Sequence, residues 1–115
     1  MISAGLRLQE EWWPVELYVD SGATYTILRT RVAEDADFDY QRGRKVHAQV
    51  GDGSLIPVFL HDLPLQIGPM RFKATIGFSE KLGVSFNLLG RLGVFDRFKV
   101  CFREKRRVLT FQPEG

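Results

Sequence analysis

Apolar and polar residues alternate with a period of two through most of this chain, in short runs broken by glycine, proline and acidic residues. Val15, Leu17 and Val19 share one face of such a run and Glu16 and Tyr18 the other, which predicts a half-buried strand running up to Asp20. Ser21 and Gly22 interrupt it, and Ile27 and Leu28 resume an apolar strand. Upstream, Ile2 to Gln9 reads as a first strand and Glu10 to Pro14 as the loop that follows it. Val46, Ala48 and Val50 alternate with Lys45, His47 and Gln49, meet Gly51-Asp52-Gly53-Ser54, and return through Leu55 to Leu60. Asp-Gly between two alternating runs predicts a hairpin, because a two-residue I′ turn needs positive φ at both positions. Pro57 assigns its strand to a sheet edge, since it lacks a ladder donor.

The same pattern predicts strands at Leu63 to Ile67, Arg71 to Phe78, Phe98 to Phe102 and Arg107 to Phe111, with Gly68-Pro69 turning the chain between the first two. Arg29 to Asp37 is the plausible short helix, and Asp35, Asp37 and Asp39 make a negative surface there. The fold class is therefore all-β with one or two short helices. A chain of 115 residues is one domain's worth. It should bury roughly two-thirds of its unfolded surface, sufficient for a core of its own.

Composition narrows the functional classes. Lysine plus arginine is 16 and aspartate plus glutamate 14, a net charge of only +2. The basic cluster Arg103, Lys105, Arg106 and Arg107 has no interleaved aromatic platform, so it reads as a solvated hairpin turn, and no nucleic-acid partner is expected. No apolar run approaches membrane-spanning length, and Arg7, Glu10 and Glu11 come too early for a signal peptide, so a cytoplasmic protein with no membrane partner is expected. Cys101 is the only cysteine and reads as a small buried side chain. His47 and His61 lack neighbours at ligand spacing, so neither a metal nor another cofactor is expected. Trp12 and Trp13 are adjacent, so on a strand they point to opposite faces; one is free to reach a cleft or dimer surface, or to cover the end of a barrel.

Candidate chemistry centres on Asp20. The strand before it delivers a carboxylate into a turn, where Gly22 permits close backbone approach and can aim its N–H at that carboxylate. Ser21 adds a hydroxyl that both donates and accepts. An Asp-Ser-Gly triplet alone also occurs in ordinary surface turns; the apolar strand before it, Ala23 after it, and Thr26 ahead of two apolar residues make this one distinctive. Far downstream stands Phe86-Asn87-Leu88-Leu89-Gly90-Arg91, followed by Leu92-Gly93-Val94. Together the two segments resemble the retropepsin-like aspartic proteases, whose half-molecules carry an apolar-Asp-(Ser/Thr)-Gly-Ala-x-x-Thr loop and a later apolar-apolar-Gly-Arg motif. The resemblance spans most of the chain in order and spacing.

It implies a half-barrel with a flap hairpin. Asp20 would be the catalytic residue, and Ser21, Gly22, Ala23, Thr26, Leu89, Gly90 and Arg91 would support its loop. Gly51, Asp52, Gly53 and Ser54 would form the flap tip over an extended peptide or protein substrate. It also implies a short helix starting near Arg91, which Gly93 should keep short. In retroviral members the equivalent arginine commonly pairs with an acid just after the triplet and its alanine, but Thr24 and Tyr25 stand there, leaving Asp96 or a main-chain carbonyl as the partner expected for Arg91.

The chemistry needs two carboxylates, and this chain has a single Asp-Ser-Gly and no internal repeat. A homodimer is therefore expected, with Asp20 facing its symmetry mate and the Ser21 hydroxyls able to bond across the axis. The resemblance further implies terminal strands available to interleave across the dimer, as the chain termini do in retroviral members. The function expected is an aspartic endopeptidase. The alternative is the same fold kept as a catalytically silent peptide-binding or dimerisation module. A third reading, a β-barrel interaction protein outside this family, predicts a monomer.

Overall fold

The computed structural model describes residues 1–20, 22–49, 53–82, 87–91, 98–103 and 108–113, the last two segments as backbone strands. The strands are β1 (Ile2–Leu8), β2 (Glu11–Val19), β3 (Thr26–Arg29), β4 (Arg44–Gln49), β5 (Leu55–Ile67), β6 (Met70–Ser79), β7 (Asn87–Leu89), β8 (Phe98–Arg103) and β9 (Val108–Pro113). A helix α1 (Arg31–Asp35) and a 3-10 turn (Tyr40–Arg42) lie between β3 and β4. The fold is all-β, as the alternation predicts. No helix among the described residues is long and apolar enough to cross a membrane.

Seven strands form one sheet in the order β1-β2-β7-β3-β6-β5-β4. Because β1 also pairs with β5, through Gly5 opposite Gln66 and Leu6 opposite Leu65, the strands β1, β2, β7, β3, β6 and β5 close into a barrel and β4 stays outside on β5. β8 and β9 pair with each other as a separate antiparallel sheet, with Arg103 opposite Val108. Cys101 lies in β8, and residues 104–107 fall outside the described residues.

Two apolar clusters form among the described residues. Leu6, Leu17, Leu28, Leu65, Phe78 and Leu89 belong to the one inside the barrel. Ile27, Ala48, Ile56, Val58, Leu60 and Leu82 form a second one under the β4–β5 hairpin. β3 separates them: Leu28 joins the first cluster and Ile27 the second, so this short strand is buried on both faces. β5 also serves both. Its even positions Ile56, Val58 and Leu60 face the hairpin cluster, while Phe59, Leu63, Leu65 and Ile67 pack into the barrel.

That double duty explains one departure from the expected elements. Leu55 to Leu60 and Leu63 to Ile67, which the sequence suggests are two strands, are one strand of 13 residues that runs through His61-Asp62. His61 is held there: its Nε2 lies 2.6 Å from the Tyr40 carbonyl oxygen, which only accepts, so that nitrogen donates. Pro57 lies beyond the last β5–β6 pair, Phe59 opposite Phe78, on the stretch of β5 that pairs with β4. Its carbonyl accepts a bond from the Ser79 hydroxyl at 2.7 Å.

The second departure is the segment Glu10 to Pro14, which is not a loop. β2 begins at Glu11, and the turn is formed by Gln9 and Glu10 alone, with φ of 54° and 70°. Neither residue type favours that region, so the usual glycine or asparagine signal is missing. The Gln9 side chain donates to the Asp37 carbonyl oxygen at 3.0 Å and anchors the turn. Pro14 is tolerated because β7 pairs with β2 only from Leu17 to Val19. The two tryptophans do diverge: the Arg7 and Arg71 guanidinium groups lie 5.9 and 5.0 Å from the Trp12 ring centre, whereas Trp13 packs against the barrel core. The expected helix from Arg29 to Asp37 is trimmed to Arg31–Asp35, with Ala33 fully buried beneath it.

Tyr40 ties this helical connection to the end of β6. Its hydroxyl donates to the Glu80 carboxylate; that bond, together with burial and the negative charge, pushes the phenol up from 10.0 to about 12. A raised folded-state value stabilises the protein fully below the unfolded tyrosine's range and loses that contribution as pH climbs from about 10 towards about 12. Tyr40→Phe should therefore lower stability by about 1 kcal/mol at neutral pH. It should also flatten the fall in urea midpoint over that alkaline interval, read by circular dichroism at a series of pH values.

Candidate active site

β2 ends at Val19, and Asp20 follows at the mouth of a tight turn, half-buried. The turn closes on itself: the Ala23 N–H donates to the Asp20 carbonyl oxygen at 3.1 Å, and the Gly22 N–H donates to Asp20 Oδ1 at 3.0 Å. Gly22 suits that reach because a Cβ there would stand 3.3 Å from the same oxygen. Ser21 lies outside the described residues, as do Val50, Gly51 and Asp52 at the hairpin tip.

What fixes the turn to the barrel arrives from the other end of the chain. β7 inserts between β2 and β3, parallel to the first and antiparallel to the second. Its last carbonyl, Leu89, accepts the Asp20 N–H at 3.1 Å, and the Arg91 N–H donates to the Ala23 carbonyl oxygen at 3.0 Å. Between them the Gly90 N–H donates to Thr26 Oγ1 at 3.1 Å, on a threonine with 0% exposure. This hydroxyl satisfies a buried donor that would otherwise cost its full desolvation. Gly90 itself must be glycine, since an added Cβ would lie 2.2 Å from the Tyr25 carbonyl oxygen. Leu89, with 0% exposure, seats the strand in the barrel core.

The Arg91 side chain is exposed, and its described tie to the loop is the main-chain bond to Ala23. Asp96, one of the two partners expected for that side chain, and the helix expected to follow Arg91 both lie outside the described residues.

Asp20 lines a cleft of about 540 Å³. Ala23, Thr24, Tyr25, Ile27 and Leu88 line it together with His47, Ala48 and Gln49 of β4. Gly53 follows with φ of 87°, and Gly53 and Ser54 are both exposed. The arrangement presents one carboxylate on a hydrogen-bonded turn to a cleft that an edge strand also lines. Among the described residues no group of three or more histidine, cysteine, aspartate or glutamate side chains could hold a metal ion.

Three cleft or loop residues are not evident as site residues in the sequence. His47 and Gln49 look like the solvent face of a hairpin strand, and only the pairing of β4 with β5 shows that this strand borders the cleft. Asn87 looks like a stray polar residue in an apolar run, yet its Nδ2 donates to the Glu16 carbonyl oxygen at 3.1 Å and its Oδ1 accepts the Arg29 N–H at 2.8 Å. The signal was present in Phe86-Asn87-Leu88-Leu89: an amide in an otherwise apolar strand needs partners.

A six-strand barrel with a carboxylate loop braced by a distant Gly-Arg strand defines a retropepsin-like aspartic protease fold. Residues 6–91 match the family profile described as Aspartyl protease, and the chain belongs to that family. A retropepsin-like aspartic protease from Rickettsia conorii aligns with a TM-score of 0.64 and 21% identity, covering 96% of this chain and 79% of its own. The EIAV protease complexed with the inhibitor HBY-793 aligns with a TM-score of 0.51 and 20% identity, covering 68% of this chain and 71% of its own. At these identities the likeness is one of fold. No curated protein sequence matches the chain.

The Thr26 hydroxyl and the bare Gly90 give a direct check on the brace. Thr26→Val keeps the shape but orphans the Gly90 N–H, and should cost about 1 to 3 kcal/mol. Gly90→Ala should cost at least as much, at the top of the roughly 1 to 3 kcal/mol range for overpacking, because the obstacle is backbone. Urea denaturation of both variants measures the loss.

Proposed function

We propose that this chain, as one domain over residues 1–115, is a homodimeric aspartic endopeptidase in which Asp20 of each subunit supplies one of two catalytic carboxyl groups. The observation that carries the reading is the held geometry of Asp20: its amide bonded to Leu89, its Oδ1 to the Gly22 N–H, and its side chain lining a cleft walled by β4. Membership of the aspartyl protease family supports the same reading. One chain brings one such carboxylate, so the site is complete only when a second copy adds its own.

Two carboxyl groups about 3 Å apart share one proton, because both cannot ionise cheaply at that distance. The ionised member takes a proton from a water between them while the water oxygen attacks the peptide carbonyl carbon. The protonated member donates to the carbonyl oxygen, giving a neutral gem-diol. Collapse of the diol breaks the C–N bond: one hydroxyl proton returns to a carboxylate, the amide nitrogen is protonated as it leaves, and an acid and an amine result. Ser21, Gly22, Ala23, Thr26, Leu89, Gly90 and Arg91 hold the loop. The β4–β5 hairpin acts as the flap, with Gly51, Asp52, Gly53 and Ser54 at its tip, and the substrate peptide lies extended beneath it.

Asp20→Asn should abolish cleavage of a peptide library while the variant remains a folded dimer by circular dichroism and sedimentation; retained turnover overturns the assignment. The wild-type rate should be bell-shaped in pH, since one carboxyl must be ionised and the other protonated. A wild-type protein that binds a transition-state-mimicking inhibitor or peptide but cleaves nothing at any pH would instead establish a silent binding module.

A further inference from the structure

We propose that Asn87 is a positioning residue for Asp20: its side-chain amide fixes the register at which β7 enters between β2 and β3. The proposal rests on the reading of Asp20 as the catalytic acid. β7 has only 3 residues, and its ladder with β3 contributes a single residue pair, Ile27 opposite Leu88. Its parallel ladder with β2 spans three pairs, from Leu17 opposite Asn87 to Val19 opposite Leu89. Leu88 packs against the hairpin cluster and Leu89 joins the barrel core, so a slip by one residue would keep a leucine in one of these places and put Asn87 or Gly90 in the other, and the apolar pattern defines the register only in part.

Contacts at the two ends of the strand complete the definition of its register. Gly90 pins one end against Tyr25 and Thr26. Asn87 pins the other, where its amide reaches both flanking strands at once, accepting from the Arg29 N–H and donating to the Glu16 carbonyl oxygen. The two partners dictate how the amide is oriented, because a main-chain N–H can only donate and a carbonyl can only accept. An aspartate could serve the first partner and not the second while ionised. A leucine of similar size serves neither. A register held at both ends delivers the Leu89 carbonyl to the Asp20 N–H, and with it the direction in which the carboxylate enters the cleft.

The experiment compares wild type with Asn87→Leu, Asn87→Asp and Asn87→Gln, counting active sites by titration with a tight transition-state-mimicking inhibitor. Per titrated site, kcat of Asn87→Leu should fall by about 10-fold to 100-fold, the scale of a small misplacement of a reacting group, with KM changed less than about threefold. Asn87→Asp should recover towards wild type as pH falls, because the protonated carboxyl again both donates and accepts, and Asn87→Gln should recover in part. An unchanged kcat per titrated site, with only the active fraction reduced, would overturn the proposal by assigning Asn87 to stability alone. Hydrogen exchange at the Asp20 amide separates this outcome from failure of the protease reading. Should the wild type cleave nothing, faster exchange in Asn87→Leu still supports the positioning role, and unchanged exchange rejects it. Where Asn87→Leu does not fold, Asn87→Asp across pH supplies the same comparison.

Discussion

The cleft depends on a hydrogen bond between the amide of Asp20 and the carbonyl of Leu89, two residues at opposite ends of the family-matched segment. A turn carrying a carboxylate would wander if left to local bonds, because Gly22 leaves the backbone free to adopt many conformations. The bond converts it into part of a sheet. Its neighbours do the same work in different ways: Arg91 through its main chain, Gly90 through contact with the Tyr25 backbone, and Thr26 through a buried hydroxyl. All of them are long-range, so the loop acquires its shape only when the barrel closes. Chains whose critical contacts are this distant fold slowly compared with those built on local ones.

The two apolar clusters give the site its division of labour. The barrel core holds β2, β3 and β7 rigid behind Asp20, and the second cluster attaches the β4–β5 hairpin in front of it. β3 and β5 contribute to both, so the wall behind the carboxylate and the arm in front of it are built from the same strands. That arrangement places a hydrogen-bonded acid beside an edge strand that packs on its own cluster.

Much of this was legible in the residues. The alternation at Val15, Leu17 and Val19 marks the strand that presents Asp20, whereas Leu88-Leu89-Gly90 is marked as its distant brace only through the resemblance to the retropepsin-like proteases. Less legible was the turn at Gln9 and Glu10, whose positive φ values are imposed by the pairing of β1 with β2 and by the bond to Asp37 rather than by residue preference. The continuous β5 was hidden for another reason. Its polar middle, His61-Asp62, looks like a connection until the Tyr40 carbonyl and the aromatic rings of Phe38 and Phe78 are seen around His61. Asn87, His47 and Gln49 escaped because their importance lies in which strands flank them, and periodicity along one strand carries no record of its neighbours.

Barrel closure leaves β4 as the outermost strand of the seven, with its outward backbone groups unclaimed by the sheet. Such an edge accepts any extended polypeptide, a wanted guest or an identical molecule in a growing aggregate. Arg44 and Lys45, both exposed at the start of β4, put positive charge on that edge, one of the devices by which proteins blunt edge-to-edge pairing. The far end of the strand, at His47 and Gln49, lines the same cleft as Asp20, so the exposed edge and the carboxylate belong to one surface.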